Sequence, residues 1–394
     1  MDSFFKTHRY LVDNIELGLY RRYLMDNIDW SHRLIGIKGA RGVGKTTLLL
    51  QYAKENYDTD DGKCLYINLN HFYFTECSLV SFAARFTEMG GEILLVDQVF
   101  KYPEWSQELR KCYDLYPNLK IVFTGSSVMK LKEANQHIGD VAHSYNLHGF
   151  SFREYIGAVT NNELSSYTLE EVVINHRAIA KEILQKVDID KCFVDYIHHG
   201  YYPFFFEKRN YSENLLKTMN MMLEVDVLYI QEIEQSYLTK IRKLFYLLAI
   251  QSPIAPNVSK LSHECEVSRA TVMNYLKYLQ DARLINMLYK VGVNFPKKPD
   301  KVYMSNTNIM FPMKLGEVDR QALCETFFYN QLNVVAKVNR SGRESQFLVN
   351  DKKHFKVELQ NKKHRKSHSR FVVVDAKQTD KENVIPLWLF GFLY

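Results

Sequence analysis

The sequence predicts an α/β fold, with a parallel sheet flanked by helices in the first 150 residues and helical and mixed segments behind it. Three observations carry the prediction. Short apolar runs alternate with helical stretches between residues 30 and 150. A glycine-rich turn joins the first of those runs directly to a helix. From residue 151 helical periodicity takes over, and strand-like runs return only after residue 284.

The strand candidates at the front are "RLIGIKG", "KCLYINLN", "EILLVD", "KIVFTGSS" and "SYNLHG". Helices are expected from Gly44, over 78 to 89, and from Pro103, a residue suited to a first helical turn. In the last of these, Trp105, Leu109, Cys112 and Tyr113 recur at helical spacing, a stripe that reads as core packing. Residues 1–150 therefore read as one domain. Residues 151–239 carry patterns such as "LEEVVINHRAIAKEILQ" and read as a helical lid. Residues 240–306 hold three helical segments and then "INMLYKV", the order of a winged helix, with "GVNFPKKPDK" as its wing tip. Residues 307–394 combine the helix "ALCETFFYNQL" with the strand-like runs "SQFLVN", "HFKVEL", "FVVVDA" and "IPLWLFGFLY", a small terminal α/β domain. At roughly 150 residues per domain, a chain of 394 residues is expected to hold two or three.

Composition narrows the classes. Hydrophobic content of 46% with 24% charged residues is ordinary for a globular chain, so folding throughout is expected. The net charge of +6 permits an acidic partner without demanding one. The six cysteines are scattered with no C-x-x-C pair, which argues against a zinc site and a disulfide framework and for reduced thiols in the cytoplasm. No apolar run approaches a membrane span, and the first residues lack a signal-peptide core, so no membrane partner is expected.

The chemistry concentrates in Gly39-Ala40-Arg41-Gly42-Val43-Gly44-Lys45-Thr46, which completes the pattern G-x-x-x-x-G-K-S/T between a strand and a helix. Its glycines let the backbone curl so that N–H groups and the helix N-terminus surround phosphates. Gly39, Arg41, Gly42, Val43, Gly44, Lys45, Thr46 and Thr47 are the candidate nucleotide contacts, with Lys45 reaching the β/γ oxygens and Thr46 serving magnesium. ATP and Mg2+ are the expected cofactors. Asp97 closes the strand "EILLVD", where an acid can hold the magnesium through water. Ser126 and Ser127 end "KIVFTGSS", placed either to sense a γ-phosphate or as ordinary turn serines.

With these residues, "LLVDQV", "FTGSS", "SFREYI" and "GYYPFF", the chain resembles the prokaryotic AAA-type ATPases built from a P-loop core, a winged helix and a C-terminal restriction-endonuclease-like domain. The resemblance extends over nearly the full length. It implies that Gly200 and Pro203 belong to a lid motif near the nucleotide base. The departures are specific. Where the family has Asp-Glu followed shortly by His, this chain has Asp97, Gln98 and Phe100, so the catalytic base is replaced by an amide. Where the family commonly carries adjacent arginines before the last core strand, this chain has His143 and Ser144.

Two regions are candidates for contact with DNA. On the helix "SRATVMNYLKYLQDARL", Val272, Tyr275 or Leu276, and Leu279 give a buried stripe and leave Arg269, Thr271, Asn274 and Lys277 toward solvent. The same face equally suits docking to a protein. Residues 352–370 hold eight Lys or Arg against one acid, and Lys362, Lys363, Arg365 and Lys366 are the candidate phosphate contacts. A nuclease of the resembled type needs an acid on one strand and E-x-K on the next. Those positions read Gln346, Glu358 and Gln360, which argues against cutting.

The expectation is an ATP-binding protein in which Asp97, Gln98 and Ser126 support slow hydrolysis at best, and whose nucleotide state controls a module that binds DNA, a protein partner or further copies of itself. The alternatives are an interaction protein with ATP as a structural ligand and, less favoured, an ATP-dependent nuclease.

Overall fold

The computed structural model describes residues 1–15, 21–129, 135–207, 210–229, 233–314, 316–342, 345–359 and 370–394. It divides into two compact units, Met1–Gly149 and Phe150–Tyr394.

In the first unit five strands form one sheet: β1 (Leu34–Gly39), β2 (Cys64–Asn68), β3 (Ile93–Asp97), β4 (Lys120–Ser126) and β5 (His143–Asn146). Their spatial order is β2-β3-β4-β1-β5, and each pairing is parallel. Such a sheet needs cover on both faces, which is why β2 and β3 read as nearly unbroken apolar runs. One face is filled by Leu65, Ile67, Leu94, Val96, Ile121 and Phe123, against Phe82, Phe86, Leu109 and Cys112 from the helices Leu79–Glu88 and Trp105–Leu115. Ser78 begins the first of these by accepting a hydrogen bond from the Ser81 N–H at 3.1 Å.

The fold class is the α/β one predicted, with a separate sheet later in the chain. One boundary differs from expectation. Pro103 does not open its helix, because Glu104 adopts φ 51° and breaks the chain, so the helix starts at Trp105. Leu109 and Cys112 nevertheless lie buried on it.

The second unit opens with the helices Phe152–Thr160, Leu169–Leu184 and Ile189–His199. The first two start with a capping box each, Ser151 with Glu154 and Thr168 with Glu171, so both termini are legible at residue level. Further on, helices Leu238–Gln251, Val258–Cys265 and Arg269–Asp281 precede an antiparallel pair, β6 (Ile285–Leu288) and β7 (Lys301–Met304). Helix Arg320–Val335 is buried from Ala322 to Tyr329 and again at Gln331 and Leu332. It packs on a second five-stranded sheet of β8 (Val338–Arg340), β9 (Phe347–Val349), β10 (Lys353–Glu358), β11 (Arg370–Val374) and β12 (Val384–Pro386), ordered β12-β11-β10-β9-β8. β10, β11 and β12 run parallel, while β9 is antiparallel to both neighbours.

"IPLWLFGFLY" is not a single strand: β12 ends at Pro386 and a 3₁₀ turn, Leu387–Phe392, follows with every residue buried. Gly391 is required there, since a Cβ would lie 2.3 Å from the Cβ of Phe152. No helix among the described residues is long and apolar enough to cross a membrane.

Gly200 ends the helix Ile189–His199 with an ordinary right-handed backbone, φ −92°. Its lack of a side chain matters for a different reason: a Cβ would sit 2.4 Å from the Tyr196 ring and 2.7 Å from the Tyr196 Cα. Gly200→Ala should therefore destabilise the protein by about 1–3 kcal/mol through overpacking, read from the urea midpoint; an unchanged midpoint would contradict this packing role.

Candidate functional site

The glycine loop leaves β1 at a point where no side chain fits. A Cβ on Gly39 would stand 2.3 Å from the Leu147 carbonyl oxygen, and Gly42 and Gly44 take φ of 80° and 99°. The helix Lys45–Asn56 begins on Gly44 with no side-chain cap, so the N–H groups of its first turn face the loop with no partner from within the helix. That is the arrangement an anion needs. Lys45 Nζ donates to the carbonyls of Gly39 and Ala40, both at 2.9 Å, and Thr47 lies half-buried in the first turn.

Two outward carbonyls are held by a residue the sequence reading missed. Arg22, only 4% exposed, donates from Nη1 to the Val43 carbonyl at 2.8 Å and from Nη2 to the His148 carbonyl at 2.7 Å. It ties the loop to the chain leaving β5. Arg41 lies with its guanidinium 5.6 Å from the centre of the Phe100 ring.

Asp97, 1% exposed, stands at the C-terminal end of β3, and four donors converge on it. Thr46 Oγ1 donates to Oδ2 at 2.8 Å, and the Tyr66 hydroxyl donates to the same oxygen at 2.8 Å. The Thr124 hydroxyl donates to Oδ1, and the Gln98 N–H reaches Oδ1 at 3.1 Å. Burial first, then the Asp97 charge, push the Tyr66 phenol well above its ordinary value, so it stays a donor. No lysine or arginine among the described residues pairs with Asp97. The Thr46–Asp97 contact joins the two candidate metal residues across 51 positions of sequence and fits a magnesium ion held at that edge.

Sheet order explains the assembly. β4 lies between β1 and β3, and Ser126 is in register with Gly39, so β4 places Thr124 against Asp97 and Ser126 beside the loop. Gln98 follows at φ 58°, its N–H bound to Asp97 and to Thr124 Oγ1. Its side chain makes no hydrogen bond among the described residues. His143 and Ser144 are in register with Ile35 and Gly36, toward the opposite end of the sheet from the loop.

Gly200 and Pro203 belong to the other unit, where Pro203 opens a 3₁₀ turn, Pro203–Glu207. Arg269 and Asn274 are exposed on the helix Arg269–Asp281, but Lys277 is ion-paired with Asp281 one turn on. Arg269 also borders a groove of about 600 Å³ whose lining includes Asn257, Ser259, Met273, Pro296 and Lys298. Lys362, Lys363, Arg365 and Lys366, and Gln360 with them, lie outside the described residues.

Loop, helix terminus, strand order and the acid on β3 define a nucleotide-binding P-loop domain of the AAA type. In agreement, residues 31–156 match a family described as an AAA domain. Residues 190–314 match a second family, DUF8612, described as a domain of unknown function. The uncharacterized protein MJ1637 of Methanocaldococcus jannaschii is 27% identical over 272 residues, which are 66% of this chain and 57% of that protein's length. Among solved structures, the Aeropyrum pernix ORC1 protein in complex with DNA overlays with a TM-score of 0.31 at 11% identity, covering 78% of this chain and 91% of that one. AMPPCP-bound DnaA from Aquifex aeolicus gives 0.28 at 15% identity, covering 69% and 92%.

Arg22 supplies a testable consequence. Arg22→Met should weaken ATP binding by about ten- to a hundredfold, since a charged hydrogen-bonded clamp contributes about 1.5–3 kcal/mol to the loop's geometry. Calorimetry checks it, and Arg22→Lys should lose less; equal affinity across the series would show that the loop holds its shape without the clamp.

Proposed function

We propose that this chain binds Mg-ATP in its first unit, hydrolyses it slowly at most, and uses the nucleotide state to govern a DNA- or protein-binding module in its second unit. The Thr46–Asp97 hydrogen bond beside the uncapped helix terminus is the observation that supports it best. Lys45 exchanges its two loop carbonyls for β/γ-phosphate oxygens, and the loop N–H groups take the remaining phosphate charge. Thr46 and Asp97 would hold the magnesium ion, which when bound neutralises charge on the terminal phosphates. Ser126, beside Gly39, is the hydroxyl proposed to sense the γ-phosphate. Gln98 orients a water through its amide but accepts no proton, so attack on the phosphate lacks a base.

The nucleotide reading makes a paired prediction. Lys45→Ala should lose most of the ATP affinity in calorimetry, and retained affinity would remove the phosphate-site assignment. Gln98→Glu should raise turnover by at least about tenfold, because a positioned base commonly contributes a hundredfold or more. Intact binding with turnover still at background would favour the other reading, an interaction protein in which ATP is a structural ligand.

For the module we propose a winged helix formed by the three helices from Leu238 with β6 and β7, which presents Arg269 and Asn274 to nucleic acid. Arg269, Lys297 and Lys298 are exposed and have no ion-pair partner among the described residues, and Arg269 and Lys298 share the groove. The basic stretch 352–370 adds charge. Replacing Arg269, Lys297 and Lys298 together by Ala should reduce the slope of log affinity against log salt for duplex DNA by about 2 to 3, as fewer counterions are released. An unchanged slope, or no binding at low salt, would favour a protein partner.

A further inference from the structure

The resemblance of the terminal domain to nucleases implies a divalent metal held by acids on two neighbouring strands, and the described residues do not fit it: the first position is the amide Gln346, and Glu358 on the next strand is ion-paired with Lys356 at 2.6 Å. Gln346 spends both ends of its amide inside the protein: Nε2 donates to Glu325 Oε1 at 2.8 Å, and Oε1 accepts from the Val357 N–H at 2.7 Å. The acid at the centre is Glu325, on the helix Arg320–Val335 and 5% exposed. Gln321 Nε2 also donates to its Oε1, at 3.1 Å, and spans to the Val357 carbonyl at 2.8 Å. The other oxygen, Oε2, receives Lys301 Nζ at 3.0 Å and the Tyr303 hydroxyl at 3.2 Å.

A metal ion is held by lone pairs pointing inward, whereas here hydrogens point inward on a single carboxylate. The count of charge is complete as well: one ammonium meets one carboxylate. The contrast with Asp97 is direct. Four neutral donors surround that acid and its charge is left for a cation from outside; Glu325 has three neutral donors and a lysine. Lys301 and Tyr303 both come from β7, so neutralising Glu325 also fastens the β6–β7 hairpin to the terminal domain. A second tie runs parallel to it, where the Arg340 N–H donates to the Tyr289 carbonyl at 2.7 Å and Asp300 faces both Lys290 and Arg340.

We propose that the Glu325 cluster is a divalent-cation site closed from within, in which the Lys301 ammonium stands where the ion would and makes the terminal domain a metal-independent anchor for the hairpin. This goes beyond the nucleotide reading and does not depend on it.

Thermal unfolding of the full chain with and without Mn2+ tests the proposal in three arms. Lys301→Met should lower the melting temperature by at least about 6 °C, the range expected when one partner of a buried pair is removed from a unit this large. Adding Glu325→Gln should recover most of that loss, because the stranded charge is gone; this double variant also tests the pairing if the single one does not fold. Lys301→Met with Gln346→Asp, which places two carboxylates at a site without its lysine, should be stabilised by Mn2+, while the wild type shows no Mn2+ shift that depends on Glu325. A wild-type Mn2+ shift abolished by Glu325→Gln would overturn the proposal by making the site an ordinary metal centre. So would a Lys301→Met protein as stable as its parent, or a Lys301→Met/Gln346→Asp protein indifferent to Mn2+.

Discussion

A carboxylate removed from water must be given its charge balance or protonate, and the way this chain treats two such groups organises both of its units. Asp97 and Glu325 are each buried and each accept from four donors, one in each unit. Hydroxyls from Thr46, Tyr66 and Thr124 and one backbone N–H surround the first, a set that orients the carboxylate without neutralising it. The second is neutralised by Lys301. The same local chemistry therefore leaves one acid among neutral donors alone and pairs the other with a lysine from β7.

The phosphate loop was legible because its residues are contiguous: spacing alone placed the glycines, Lys45 and Thr46, and the apolar run before Asp97 marked the end of a strand. What surrounds them was not. Arg22 acts on Val43 and His148, Tyr66 and Thr124 act on Asp97 from two neighbouring strands, and no short-range pattern encodes strand order. Once the order β2-β3-β4-β1-β5 is known, the Tyr66 and Thr124 contacts follow, since β2 and β4 flank β3 and β4 brings its last residues between the loop and the acid.

In the second unit the strand-like runs were visible, but their environment was hidden. β8 carries only three residues, too few for a period-two pattern, and "IPLWLFGFLY" is apolar along its whole length, so its switch from strand to 3₁₀ turn leaves no mark in hydrophobicity. Glu325 was hidden inside an ordinary helical pattern, because burial on nearly every side of Arg320–Val335 erases the amphipathic signal that would have set an acid apart.

Gln98 gains a physical reading from this arrangement. The residue sits in the left-handed region, a conformation that costs a non-glycine side chain on the order of 1 kcal/mol, and the bonds from its N–H to Asp97 and Thr124 offset that cost. A glutamate in its place would set a second carboxylate directly after one that has only neutral partners, and like charges so close repel. An amide removes that repulsion and with it the proton acceptor. On the proposed reading, the residue that relieves this repulsion is also the one that leaves an attacking water without a base, so resting stability and turnover would be opposed at a single side chain.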